Sequence, residues 1–132
     1  MTFRNRIRVG KKSPMKYFSV IVEYDGYVFR SIGEKNRYRE LKLLEAGGEI
    51  SDIKVHPPFP CRVNGFLVCT YYADFSYKDI KTQEIVTEDF KGYKKGQAFE
   101  MFKLKAKLVK AIYGVDIVLI RAPDRPRKRS RR

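Results

Sequence analysis

Short apolar runs separated by turn signals set the rhythm of this chain from residue 17 onward. The stretch "YFSVIVEYDGYVFRS" reads as two short strands joined at Asp25-Gly26 and ending at Ser31. Ser31 has the chemistry of a helix N-cap, and "IGEKNRYRELKLLEAGG" behind it is rich in helix formers and closed by Gly47-Gly48. Next, "EISDIKVHPPFPCRVNGFLVCTYYADFSY" holds β-rich pieces broken by a proline cluster and by Asn64-Gly65, expected to be strands of one sheet. "EIVTEDFKG" predicts a further strand, antiparallel to the one carrying Asp74 if the polar loop between them makes a hairpin. "QAFEMFKLKAKLVKAIYG" is a strongly periodic helix stopped by Gly114, and "VDIVLI" has the near-continuous apolar character of a strand buried on both faces.

This order predicts one α/β domain, a mixed sheet flanked by helices over residues 16–120, preceded by an N-terminal β-hairpin at its start. A length of 132 residues with 43% hydrophobic content suits one domain with its own core. Charge refines the picture, since the net +14 is unevenly placed. Residues 1–12 carry five Lys/Arg and no acid (Arg4, Arg6, Arg8, Lys11, Lys12). Residues 121–132 carry seven, Arg127, Lys128 and Arg129 among them, against Asp124, which leaves 17 basic and 14 acidic residues between the two arms. A basic arm (1–15), a nearly balanced domain and a disordered basic tail (121–132) describe a chain expected to grip a polyanion, nucleic acid above all, by neutralising phosphates. A ribosomal or membrane-surface role would use the same tails.

No stretch approaches the roughly 18 uninterrupted apolar residues of a membrane span, and the N-terminus lacks the apolar run of a secretory signal, so a cytoplasmic protein with no membrane partner is expected. Cys61 and Cys69 flank the Asn-Gly turn. A two-residue turn sets Cys61 opposite Val68, so no disulfide is expected. Two Cys and a single His, His56, do not complete a four-ligand zinc site.

Acidic residues embedded among strand formers are the candidate chemistry. Asp89 and Lys91, two apart in a strand, project from one face while Glu88 points the other way, and a hairpin brings Asp74 towards Asp89. Two acids meeting there repel unless a cation lies between them. Oxygen ligands favour Mg²⁺ or Mn²⁺, and a lysine beside the cation orients water or stabilises a charged transition state. The alternative is an ordinary amphipathic strand with solvated ion pairs. On the second helix, Met101, Leu104, Leu108, Val109 and Ile112 define the expected buried stripe, with Lys105 near its centre, so Lys105 either meets an anion or snorkels to water. On the first helix, Tyr38, Leu41 and Leu44 face inward and Glu34 extends that stripe by one turn, although Ser31-x-x-Glu34 is equally a capping box. His56 reads as a structural histidine. Tyr93, Lys94 and Lys95 follow the motif strand into a loop, where they either touch a phosphate or are simply solvated.

Together, "FRSIGEKNRYRELKLLEAGGEI", "TYYADFSY", "TEDFKG" and "FKLKAKLVKAIYGVDI" resemble a family of small phage-encoded proteins of the PD-(D/E)XK, restriction-endonuclease-like nuclease superfamily, over roughly residues 16–118. The resemblance implies an αβββαβ core, a Mg²⁺- or Mn²⁺-dependent endonuclease, and metal ligation by Asp74, Asp89 and the Phe90 carbonyl. It also implies that Lys91 positions the water and that Glu34 completes the shell. Ala73 stands where the motif has proline, and Arg30 and Lys35 add positive charge beside the site. Holliday-junction or other branched DNA cut by a homodimer is the expected substrate and assembly, with a non-catalytic nucleic-acid-binding accessory protein as the rival.

Overall fold

A computed structural model describes residues 20–92 and 95–121. The basic arms, with Arg4, Arg6, Arg8, Lys11, Lys12, Arg127, Lys128 and Arg129, lie outside the described residues, as do Tyr93 and Lys94.

Strands β1 (Val22–Tyr24) and β2 (Tyr27–Phe29) pair antiparallel around Asp25-Gly26. Helix α1 (Ile32–Ala46) starts where Ser31, in extended conformation, accepts a hydrogen bond from the Glu34 N–H at 3.1 Å. It ends where left-handed Gly48 lets the Glu49 N–H reach the Leu44 carbonyl at 3.0 Å. β3 (Ile50–Val55), β4 (Pro58–Val63), β5 (Phe66–Tyr72), β6 (Phe75–Asp79) and β7 (Ile85–Lys91) follow, then α2 (Gln97–Tyr113) and β8 (Ile117–Arg121). The central sheet has the order β3-β6-β7-β8, antiparallel except for β7 and β8, which run parallel because α2 carries the chain back across the sheet. The architecture is thus mixed α/β.

α1 and α2 cover opposite faces. Phe29, Tyr38, Leu41, Ile50 and Phe75 form the core under α1. Cys61, Tyr71, Ala73, Phe99, Phe102 and Val109 form the core under α2, with Ile117 and Leu119 of β8 packed against it. Alternation along β7 follows: Glu88, opposite Phe75, faces α1, while Thr87 and Asp89, opposite Ile117 and Leu119, face α2.

Five expectations need correction or settling. β3 to β5 do not share one sheet, since β4 and β5 pair as a separate two-stranded ribbon. Pro57, Pro58 and Pro60 have no N–H to donate, so the chain leaves the central ladder there. Within that ribbon a bulge between Cys61 and Arg62 shifts the register so that Cys61 faces Cys69, both thiols free. The buried stripe of α2 is Phe99, Phe102 and Val109, with Ala106 half-buried. Met101, Leu104 and Ile112 are exposed, because the aromatic pair claims the core-facing side. Lys105 is half-buried beside Cys61, not aimed at an acid cluster. Finally, β8 is an edge strand and leaves Val118 exposed.

One close approach fixes α1 against the motif strand. A Cβ on Gly33 would lie 2.4 Å from Phe90 Cζ and 2.5 Å from Cε1, so only glycine lets the first turn of α1 rest on that ring. Gly33→Ala is expected to destabilise the fold by about 1–3 kcal/mol through overpacking. In the Phe90→Ala background the same change should cost little, so a double-mutant cycle by urea denaturation reads a coupling of that size, and additive effects would refute the contact.

Candidate functional site

The register of the central sheet composes the site. In the β3–β6 ladder Val55 faces Phe75, and one step further the His56 N–H donates to the Asp74 carbonyl at 2.9 Å. In the β6–β7 ladder Phe75 faces Glu88, and one step further Asp74 comes opposite Asp89, the Asp74 N–H donating to the Glu88 carbonyl at 3.2 Å. His56, Asp74 and Asp89 thus form one row across three neighbouring strands, at the lip where the N-terminus of α1 arrives. Directly opposed residues project to one face, which is why their side chains meet.

Asp89 is 2% exposed. Its Oδ2 accepts a hydrogen bond from the Tyr71 hydroxyl of β5. Its Oδ1 lies 3.0 Å from Lys91 Nζ, an ion-pair contact without hydrogen-bond alignment, so this buried oxygen has no hydrogen-bond donor among the described residues. Lys91 is held by more than that charge, since its ammonium sits over the Phe102 ring, 4.8 Å from the centroid.

Glu34 both caps the helix and reaches the acidic cluster. Its N–H completes the Ser31 cap, and its Oε2 accepts the Arg30 N–H at 3.3 Å, one residue before the N-cap of a strict capping box. Its Oε1 lies 2.7 Å from His56 Nε2. One ligand atom each from Glu34, His56 and Asp74 falls within 4.8 Å of the others.

Asp74 is the junction of the cluster. Burial first, then the negative charges of Asp89 and Glu34, push its carboxyl up to about 8, against the opposing hydrogen bond from the Phe90 N–H to Oδ2 at 2.6 Å. Burial also pushes the Tyr71 phenol far up, with Asp89 beside it. Three carboxylates meeting with one lysine and one imidazole make a pocket of excess negative charge. Asp89 Oδ1, which has an ion-pair contact but no hydrogen-bond donor, and the neighbouring carboxylates of Asp74 and Glu34 offer hard oxygen donors that fit a divalent cation.

Asp74, Asp89, Lys91 and Glu34 are therefore brought together. Phe90 contributes its N–H to Asp74 and its ring to the packing of α1. Lys105 is elsewhere, Lys35 lies over the Tyr24 ring, 5.9 Å from the centroid, and the Arg30 side chain and Lys95 are exposed. Two neighbours of the acids lie outside the expected set. Tyr71 carries no distinguishing sequence signal among nine tyrosines, and His56, read from sequence as structural, has a place before Pro57-Pro58 that marks a special backbone.

Glu88 is the structural counterpart. It is 1% exposed, gripped by both Arg37 Nε at 2.7 Å and Nη2 at 3.0 Å, and it accepts the Tyr77 hydroxyl at 3.0 Å. A fork-shaped guanidinium satisfies both of its oxygens, so it has no capacity left for a cation. Glu88 draws the Arg37 pKa upward, while burial raises the Tyr77 phenol to about 12, with Glu88 adding to it.

With this geometry in view, the family relationship can be stated: the chain belongs to a family described as protein of unknown function (DUF1064), whose model matches residues 14–122. No curated protein and no solved structure matches it. Among the described residues no helix is long and apolar enough to cross a membrane.

Two outcomes check the site. The folded state keeps the Asp74 proton between 3.8 and about 8, where the unfolded chain has released it. Native protein thus binds more protons, and cation-free stability should fall as pH rises through that window; Asp74→Asn should flatten the slope in denaturation curves. Arg37→Ala should cost about 3–5 kcal/mol by stranding Glu88, yet leave divalent-cation affinity unchanged in calorimetry.

Proposed function

We propose that this protein is a divalent-cation-dependent endodeoxyribonuclease of the PD-(D/E)XK type, as the resemblance of "ADFSY" and "TEDFKG" implies. The observation that carries the reading is that Asp74 neighbours both Glu34 and the buried Asp89, whose Oδ1 pairs with Lys91 but lacks a hydrogen-bond donor.

Asp74, Asp89 and the Phe90 carbonyl hold Mg²⁺ or Mn²⁺, with Glu34 completing the shell. The bound cation supplies Lewis-acid polarisation of a phosphoryl oxygen and lowers the pKa of water. Lys91, fixed by Asp89 and the Phe102 ring, orients the attacking water and offsets charge developing on the phosphate. Water oxygen bonds to phosphorus as the bond to one ester oxygen breaks, and that oxygen leaves with a proton. Tyr71, by holding Asp89 Oδ2, leaves Oδ1 directed at the site.

The basic arms, helped by Lys94, Lys95, Arg30 and Lys35, which flank the motif residues in sequence, bind the DNA backbone by releasing counterions. A domain this small does not both enclose a duplex and read a long sequence, which favours branched or Holliday-junction DNA, cut by a homodimer with one site per strand, in phage DNA metabolism within the host cytoplasm. The uneven placement of the +14 charge favours one alternative, a non-catalytic nucleic-acid-binding accessory protein.

Four-way junction, flap and linear duplex substrates, incubated side by side with Mg²⁺ or Mn²⁺, test the proposal. Nicking should appear with wild-type protein and fall on the order of 100-fold or more in Asp89→Ala and Lys91→Ala, while DNA binding survives. Tight binding with no cutting under either cation would leave the accessory reading.

A further inference from the structure

We infer that His56 is a ligand of the metal centre, and that its imidazole makes the site select Mn²⁺ over Mg²⁺. The inference rests on the metal-site reading above and adds a ligand to it.

Three independent features place His56 there. The first is distance: one of its ring nitrogens and carboxylate oxygens of Glu34 and Asp74 lie within 4.8 Å of one another, the spread of donors around one cation. The side chain is 36% exposed and Glu34 only 6%, so the group is open to solvent on the imidazole side.

The second is register. Between Ser51 and Lys54 strand β3 carries a bulge, with Asp52 left-handed at φ 55°. Before the bulge Ile50 faces Asp79 and Ser51 faces Lys78; after it Lys54 faces Ser76 and Val55 faces Phe75. Had the first register continued, Val55 and not His56 would stand opposite Asp74. The extra residue therefore aims an imidazole, in place of an apolar side chain, at the acidic row, as bulges beside functional sites do.

The third is strain. His56 has φ 52°, in the left-handed region, and precedes a proline, which disfavours helical backbone at that position. A non-glycine residue held there is stabilised by its surroundings, here by the His56 N–H to Asp74 carbonyl bond. Close by, the 98%-buried Asp89, which touches Asp74, keeps Oδ1 without a hydrogen-bond donor.

The donor set decides the cation. Mg²⁺ takes oxygen ligands and keeps most of its water, whereas imidazole nitrogen suits first-row transition ions. Two carboxylates, an imidazole and the adjacent Asp89 make a mixed N/O site. In the cation-free protein the His56–Glu34 contact is an intramolecular pair; on loading, both groups turn to the ion. His56 and Asp89, either side of Asp74, also give the row two ends of different chemistry.

Titration of full-length protein with Mn²⁺ alone and Mg²⁺ alone, by calorimetry, together with pulsed electron paramagnetic resonance of the Mn²⁺ form, tests this. Wild-type protein should show ¹⁴N coupling to bound Mn²⁺ and bind it more tightly than Mg²⁺. His56→Gln keeps a hydrogen-bond donor for Glu34, and thermal melting checks its fold. In it the ¹⁴N signal should vanish and Mn²⁺ affinity drop on the order of 10–100-fold or more, with Mg²⁺ affinity nearly unchanged. Mn²⁺ bound without ¹⁴N coupling, and a Mn²⁺/Mg²⁺ ratio unaltered in His56→Gln, would overturn the inference and leave the nuclease reading standing on Asp89 and Lys91. Absence of Mn²⁺ and Mg²⁺ binding in wild-type protein would defeat both.

Discussion

Like-charge crowding at the lip of the central sheet is the constraint around which the rest of this molecule is arranged. Asp74 and Asp89 come opposite one another by continuation of the β6–β7 ladder, and Glu34 approaches from the start of α1. Bringing three acids together out of water costs free energy, visible in the carboxyl of Asp74 rising to about 8. The fold accepts that cost and supplies only part of the compensation: Lys91 at 3.0 Å, the Tyr71 hydroxyl, the Phe90 N–H and the His56 imidazole. A cluster left partly compensated is what a cation-binding site requires, because full internal pairing would remove the attraction for an ion.

Adjacent residues on β7 show the difference between a buried carboxylate that is fully paired and one that is not. Glu88 and Asp89 are both almost fully buried, and strand alternation sends them to opposite faces. Under α1, Glu88 meets a bidentate arginine and a tyrosine hydroxyl. Under α2, Asp89 meets one tyrosine and an imperfectly aligned lysine, and keeps an oxygen in reserve. The same carboxylate chemistry is locked in one case and available in the other.

Much of this was legible in the sequence. The Asp25-Gly26 turn, the Ser31 cap, the Gly47-Gly48 and Gly114 stops and the strand carrying Asp89 and Lys91 are local signals, fixed by backbone preferences that neighbours in sequence largely determine. Period-two alternation was enough to separate Glu88 from Asp89. The rotation of α2 was misjudged because Met101, Leu104 and Ile112 form an apolar stripe as regular as that of Phe99, Phe102 and Val109, and periodicity does not say which of two stripes is covered.

Local chemistry along the chain determined the elements, their order and the identity of the acids and the lysine. Register was decided only in three dimensions. Bulges at Cys61 and between Ser51 and Lys54 each displace a strand by one residue, and with a side-chain period of two that displacement chooses which residue meets the partner strand. No short-range preference in the sequence announces such a bulge, because it is selected by contacts between segments far apart in the chain. For that reason His56 and Tyr71 became visible as neighbours of the acids only once the sheet had been assembled.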